Sequence, residues 1–238
     1  EAWIDAFMTR YIGRFYAWDV VNEPTTDDGS VSMTPYRDDD WFANVGKDYL
    51  DWAFQAARAA DPDAKLFIND YNTELAGKRS RYMTIIRDLL DRGIPLDGIG
   101  HQAHININTP ARDVFAALDE VDALNAGLEN HITELDISVY NDPGESISSG
   151  VKCATGYGAS LSDVPDADQR QQVELYRDLL NGFAARASVT SVSLWGVSDA
   201  ATWLDNFPIN RANHPLLFDR NYDPKPPAYA LTDPDYMF

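Results

Sequence analysis

Apolar and amphipathic stretches alternate along this chain. The short stretches are rich in β-branched and aromatic residues, as is typical of buried strands, and the longer ones repeat apolar residues at helical spacing. This alternation favours βα units with a mostly parallel sheet, an α/β fold. The predicted strands are residues 15–21, 65–69, 98–104, 131–137 and 191–195. The predicted helices are residues 2–11, 41–60, 77–92, 111–126 and 166–187.

The segments that connect these elements contain no Gly/Ser-rich linker and no block of like charges that would divide the sequence. One domain over residues 1–238 is therefore expected. The longest connection, residues 141–165, contains Cys153 and is predicted to be an elaborated loop that follows a strand. Trp3, Trp41 and Trp52 have apolar neighbours at helical spacing and are predicted to lie in the core.

The composition narrows the classes of function. Acidic residues outnumber lysine and arginine by 38 to 19, so the formal net charge is −19 and a nucleic-acid partner would be repelled. No run of about 18 apolar residues is present, and no membrane partner is expected. The single cysteine cannot form an internal disulfide. Because the four histidines lack metal-site spacing and no glycine-rich phosphate loop precedes a helix, no metal or cofactor is expected.

Polar residues follow four of the predicted strands at the point where each strand ends. Burying such side chains is costly unless they serve a purpose. In a (β/α)8 barrel the carboxyl ends of the strands build the active site, so these residues would converge. Any one of them could instead cap a helix, but four such endings favour one shared site. The four pairs are Asn22 and Glu23, Asp70 and Asn72, Gln102 and His104, and Glu134 and Asp136.

The segments around these strand ends resemble one known family. The sequences WDVVNEP at 18–24, GIGHQAH at 98–104 and ITELDI at 132–137 are similar to signature strands of glycoside hydrolase family 10, the endo-β-1,4-xylanases. Their order along the chain also matches. Further support comes from FINDYN at 67–72, LWGVSD at 194–199 followed by Trp203, and PLLFD at 215–219 with PKP at 224–226.

The resemblance implies a (β/α)8 TIM barrel. Within the family pattern the first predicted strand corresponds to the fourth barrel strand, so the chain is expected to hold strands 4 to 8. The three N-terminal βα units of the catalytic domain are then expected to be absent, each being about 30 residues or more. The chain is interpreted as a partial sequence or one segment of an interrupted enzyme, with other domains or segments in the parent protein.

Two glutamates carry the expected chemistry. Hydrolysis of a glycosidic bond requires a proton donor for the leaving oxygen and a carboxylate on the opposite side of the anomeric carbon. Glu23 and Glu134 fit these two roles. The resemblance implies that Glu23 is the acid/base and Glu134 the nucleophile of a retaining mechanism, with the carboxyl groups about 5 to 5.5 Å apart. The alternative for each glutamate is a surface ion pair.

The remaining polar and aromatic residues have supporting roles. His104 is expected to hydrogen-bond Glu134, with Asp136 holding the imidazole in one tautomer. Asn22 is expected to contact a sugar 2-hydroxyl. Trp195 and Trp203 offer flat faces for pyranose rings, and an ordinary core position is an equal alternative for Trp195. The predicted substrate-binding residues are Asn22, Tyr71, Asn72, Gln102, His104, Trp195 and Trp203.

The resemblance implies xylan or xylo-oligosaccharides as the binding partners and a secreted protein, extracellular or periplasmic. Two other interpretations stay open. One is another retaining β-glycanase, a cellulase or a mannanase, because the arrangement of an Asn-Glu pair and a late-strand glutamate is shared more widely. The other is a non-catalytic carbohydrate-binding segment, because the barrel is expected to be incomplete.

Overall fold

The computed structural model describes residues 1–27, 34–140, 156–233 and 235–238. Cys153 and most of the predicted loop 141–165 lie outside the described residues. The chain divides into two compact units. The first unit contains Glu1–Gln102, Val114–Ile132 and Ser188–Ser191, and the second contains Ala103–Asp113, Thr133–Ala187 and Val192–Phe238. Within the described residues no helix combines the length and the apolar character needed to cross a membrane.

Helices and strands alternate along most of the chain, as the sequence pattern predicts. The strands are β1 (Ala17–Asn22), β2 (Lys65–Asp70), β3 (Gly98–His101), β4 (His104–Asn106), β5 (Glu129–Ser138) and β6 (Val189–Leu194). The α-helices are α1 (Ala2–Arg10), α2 (Asp40–Val45), α3 (Asp48–Ala60), α4 (Ala76–Asp91), α5 (Ala111–Asp122), α6 (Asp166–Ala184) and α7 (Pro226–Thr232).

In the first unit, β1, β2, β3 and the start of β5 form parallel pairs in that order. Strand β2 is central and its residues 66–70 are all buried. Its Leu66 and Ile68 pack in one core with Phe54 of α3 and Ile86 of α4. Because the pairs are parallel, the carboxyl ends of β1, β2 and β3 lie at the same edge of the sheet.

The helix predicted at 41–60 is two helices in the structure. Gly46 has a φ of 69° between α2 and α3, a left-handed conformation that ends the first helix. The prediction that Trp3, Trp41 and Trp52 lie in the core is wrong, because their exposed fractions are 77, 67 and 48%. In α3 the buried face instead contains Leu50, Phe54, Ala57 and Ala60, and Trp52 lies off that face.

The strand predicted at 98–104 is interrupted. Ala103 has a φ of 58° and separates β3 from β4. The pairing with β5 changes register there, since His101 lies beside Ile132 and His104 beside Asp136, three residues on one side against four on the other. An extra residue of this kind changes the direction of the side chains that follow it, here those of His104 and Asp136.

In the second unit, β4 pairs in parallel with the second half of β5, and α6 packs with α7. The sequence pattern did not predict α7, although its two prolines at the first two helical positions are a start signal. A fully buried ion pair lies in this unit. The Lys225 Nζ is 2.9 Å from Oδ2 of Asp199, and it also donates to the carbonyl oxygens of His214 and Leu216.

Candidate active site

Glu23 lies directly after β1, in the first unit. Its backbone N–H donates to the carbonyl oxygen of Asn69 at 2.8 Å, and its φ is 58°. A left-handed conformation at a residue other than glycine costs on the order of 1–3 kcal/mol and persists where surrounding contacts enforce it. The turn therefore sends the Glu23 side chain in a direction that a continuing strand would not allow.

Both carboxyl oxygens of Glu23 have partners. Oε1 accepts a hydrogen bond from Gln102 Nε2 at 3.1 Å, and Oε2 lies 3.2 Å from Nη1 of Arg37. The side chains of Glu23 and Arg37 are 33% and 31% exposed, so the ion pair lies at a partly solvated surface. Arg37 is a site residue that the sequence analysis missed, because nothing in its surrounding sequence distinguishes it from a solvated arginine.

Asn22 and Gln102 form the rest of this first cluster. The Oδ1 atom of Asn22 accepts from Nδ2 of Asn69 at 2.9 Å and from Nε2 of Gln102 at 3.1 Å. With the oxygen occupied twice, the Asn22 amide N–H groups are the ones left to donate to a ligand. Gln102 is buried and donates hydrogen bonds to both Asn22 and Glu23, so it fixes the two side chains relative to each other.

Tyr71 and Asn72 follow β2. The phenol oxygen of Tyr71 accepts from Nη2 of Arg37 at 2.7 Å and donates to Oδ2 of Asp27 at 2.6 Å. Asn72 has a φ of 56°, and its carbonyl oxygen accepts the N–H of Leu75, which begins the turn into α4. Tyr71 is thus linked to Glu23 through Arg37, which contacts both side chains.

Glu134 and its partners form a second cluster, within the second unit. The imidazole of His104 lies between two carboxyl groups, with Nε2 at 3.1 Å from Oε2 of Glu134 and Nδ1 at 3.0 Å from Oδ1 of Asp136. Asp136 is almost fully buried. The predicted contacts of His104 with these two residues are present in the structure.

The charge of His104 differs from the prediction. Burial opposes the charged imidazole, but the hydrogen bonds and charges of Asp136 and Glu134 outweigh it and raise the pKa of His104 to about 9. His104 is therefore an imidazolium at neutral pH instead of one neutral tautomer. A cation at this position stabilises negative charge on the carboxylates beside it.

Two tryptophans flank the His104 ring. Trp203 donates from Nε1 to Oδ2 of Asp136 at 2.8 Å, and its ring centroid lies 4.9 Å from that of His104. Trp195 lies 6.1 Å from the same ring and is 50% exposed, so the alternative of a core position is wrong for it. Its exposed face is available to a ligand.

The predicted site residues other than Asn72 thus form two clusters, one around Glu23 and one around Glu134. Hydrogen bonds to Asn22, Gln102 and Tyr71 build the first, and His104 is the centre of the second. Among the described residues no group of three or more His, Cys, Asp or Glu side chains is arranged to hold a metal ion.

Residues 1–234 match the family model for Glycosyl hydrolase family 10. The chain belongs to this family. It is 38% identical over 235 residues to endo-1,4-beta-xylanase B of Paenibacillus barcinonensis, covering 98% of this chain and 66% of that protein. The resemblance predicted from the strand motifs is confirmed.

Solved structures of the family have the same fold. Xylanase B from Clostridium stercorarium F9 superimposes with a TM-score of 0.84 at 38% identity, covering 98% of this chain and 65% of that chain. Xylanase 10B from Thermotoga petrophila RKU-1, in complex with xylobiose, gives 0.79 at 30% identity, covering 97% and 62%. The predicted fold class, a (β/α)8 barrel of which this chain is part, is confirmed.

The chain spans less than two thirds of the length of each of these family members. The expected absence of three N-terminal βα units stays a prediction, as do the single catalytic domain and the catalytic roles of the site residues.

Proposed function

We propose that the protein containing this chain hydrolyses internal β-1,4-xylosidic bonds of xylan with retention of anomeric configuration. Glu134 is the nucleophile and Glu23 is the acid/base. Membership of glycosyl hydrolase family 10, the endo-1,4-beta-xylanase at 38% identity and the xylobiose complex of a family member support the reaction class and the substrate.

The bridging position of His104 is the observation that carries the proposal. A nucleophilic carboxylate has to be ionised and aimed, and His104 supplies a positive charge and a hydrogen bond to one oxygen of Glu134. The ion-pair contact of its other ring nitrogen with buried Asp136 holds the ring from the opposite side, and Trp203 in turn hydrogen-bonds Asp136. A glutamate in a surface ion pair has no need of such a buried support.

The reaction proceeds in two displacements. In the first, the Glu134 carboxylate attacks the anomeric carbon while the Glu23 carboxylic acid donates its proton to the glycosidic oxygen, which leaves with the bond electrons. In the second, the Glu23 carboxylate takes a proton from water, and the water oxygen displaces Glu134 from the sugar. Asn22 donates to the sugar 2-hydroxyl, and Tyr71, Asn72, Trp195 and Trp203 are the further residues that bind the substrate.

The test uses the full-length protein and three variants. Glu134→Gln abolishes hydrolysis of xylan while the variant still binds xylo-oligosaccharides. Glu23→Ala loses far more rate on xylan than on an aryl xyloside with a good leaving group, and azide restores the rate on the aryl substrate. Glu174→Gln is the matched control, because Glu174 is an exposed residue of α6.

The outcomes separate the alternatives. Near-normal turnover by Glu134→Gln contradicts the nucleophile assignment, and an α-anomer as the first product in proton NMR contradicts retention. Faster hydrolysis of β-glucan or mannan than of xylan identifies another β-glycanase. Binding without hydrolysis of any of these polysaccharides identifies a carbohydrate-binding protein. We also expect the protein to be secreted, extracellular or periplasmic, which fractionation of the native cells tests.

A further inference from the structure

We propose that Arg37 is a positioning residue for Glu23. The inference rests on the acid/base role proposed above. Arg37 and Gln102 contact different oxygens of the same carboxyl group, at 3.2 and 3.1 Å. A carboxyl group that is held at both oxygens cannot rotate about its terminal torsion without losing one partner. The two contacts therefore fix the plane in which the two carboxyl oxygens of Glu23 lie.

Arg37 is held in place by two connections of its own. Its backbone N–H donates to the carbonyl oxygen of Pro24 at 2.7 Å, which ties it to the segment that carries Glu23. Its guanidinium donates from Nη2 to the phenol oxygen of Tyr71 at 2.7 Å, and its Cζ lies 5.3 Å from the centre of that ring. The planar guanidinium presents separate Nη1 and Nη2 donors in a fixed geometry, one to each partner, whereas an ammonium group has a single nitrogen.

A chain of alternating charges extends from this point into the protein. Tyr71 donates to Asp27, and Asp27 accepts from Lys78 at 2.7 Å. Lys78 is only 3% exposed, and it also contacts Oδ1 of Asp70 at 3.1 Å and the carbonyl oxygen of Thr25 at 2.9 Å. The bonds from Lys78 and Tyr71 lower the pKa of Asp27 although its burial raises it, so Asp27 is an anion at neutral pH. Arg37 is thus linked through Tyr71 and the exposed Asp27 to the buried ion pair of Lys78 and Asp70.

Arg37 acts on the reaction through Glu23. Proton transfer requires the acid to lie within hydrogen-bond reach of the glycosidic oxygen, and Glu23 has a side chain that is one-third exposed. Without Arg37, one oxygen of this side chain is released toward solvent and the productive orientation becomes one of several. We expect about a tenfold loss of kcat on xylan, since charge-assisted hydrogen bonds are the stronger class and partial exposure reduces their effect.

The experiment is a double-mutant cycle in the full-length protein, with Arg37→Met, Glu23→Ala and the combined variant. Arg37→Met lowers kcat on xylan about tenfold with KM changed less than twofold. On an activated aryl xyloside the loss of kcat/KM is below twofold, because kcat/KM reports the first displacement, which needs little acid catalysis with this leaving group. In the Glu23→Ala background, Arg37→Met has no further effect on the azide-rescued rate.

Two additional variants separate a loss of the Arg37 contact from a general loss of folding. Arg81→Met is the matched control, because Arg81 donates to the carbonyl oxygens of Thr26 and Asp27 in the same segment without contacting Glu23 among the described contacts. Its kcat stays near the wild-type value. Arg37→Lys keeps the charge without the fixed pair of donors and lowers kcat about threefold. This variant gives a result even where Arg37→Met fails to fold.

Each result has one meaning. An equal loss from Arg37→Met with and without Glu23 overturns the positioning role, as does wild-type kcat in both Arg37 variants. A Glu23→Ala protein that hydrolyses xylan at the wild-type rate instead overturns the acid/base assignment itself, whatever Arg37 does.

Discussion

Protonated His104 between two carboxylates makes the stability of the protein depend on pH above neutrality. The pKa of His104 is about 9 in the folded protein, against 6.5 for an ordinary histidine. Because the folded-state pKa is the higher one, the stabilisation is fully present below about pH 6.5. It is lost as the pH rises through about 9.

The magnitude follows from the same two values. The difference of 2.5 pH units, at about 1.4 kcal/mol per unit, corresponds to about 3–4 kcal/mol of unfolding free energy. The His104 side chain is 16% exposed, so solvent screening reduces this value only modestly. Between about pH 6.5 and 9 the contribution of His104 falls by about 1.4 kcal/mol per pH unit.

The assay is urea unfolding of the full-length protein and of His104→Gln at half-unit steps from pH 6 to 10. The variant has a neutral side chain at all these pH values, so the difference between the two free energies isolates His104. That difference declines by about 3–4 kcal/mol across the window. Two parallel curves would refute the argument, because they would mean that His104 carries no excess charge in the folded protein.

His131→Gln is the control for this experiment. Burial, with a smaller effect from nearby Lys65, lowers the pKa of His131 to about 4, so His131 is uncharged throughout the window. Its substitution changes the overall stability but leaves the slope between pH 6.5 and 9 like that of the wild type.

Two further predictions concern the packing. Lys225→Met leaves Asp199 as a buried, unpaired charge and lowers the free energy of unfolding by about 3–5 kcal/mol in urea titrations. Adding Asp199→Asn restores part of the loss, and full additivity of the two changes would contradict the ion-pair explanation. Gly98→Ala places a Cβ atom 2.1 Å from the edge of the Phe67 ring and costs about 1–3 kcal/mol by the same assay. Gly77→Ala meets only the flexible end of an arginine, and an equal loss in both alanine variants would show that steric overlap is not the cause.

The order of the elements could be predicted from the sequence because the hydrophobic period is a local property. Helix α4 begins and ends within one residue of its prediction, and β2 extends one residue beyond its own. The motif at 132–137 likewise indicated Glu134 and Asp136 correctly as residues with a common partner in His104. Residues two apart on a strand share a face, so the common direction of Glu134 and Asp136 follows from the strand period, and the pairing of β4 with β5 brings His104 to them.

Other features depend on contacts between distant parts of the chain. The period of α1 and α3 shows that these helices are amphipathic, but not which of their tryptophans the neighbouring elements leave exposed. Trp3 and Trp52 have apolar sequence neighbours and are nevertheless solvent-exposed. The break at Ala103 is also a tertiary effect, because it accompanies the change of register between β5 and its two partners.

The charged support of the site could be found only in the tertiary structure. Arg37 and Lys78 have the sequence surroundings of solvated side chains, yet Lys78 is buried against Asp70 and Arg37 contacts Glu23. The charge of His104 has the same origin. A histidine has an ordinary pKa near 6.5, and only the placement of two carboxylates about 3 Å from its two nitrogens raises that pKa to about 9. Residue type determines which charges are available, whereas their distances and burial determine which charges the folded protein keeps.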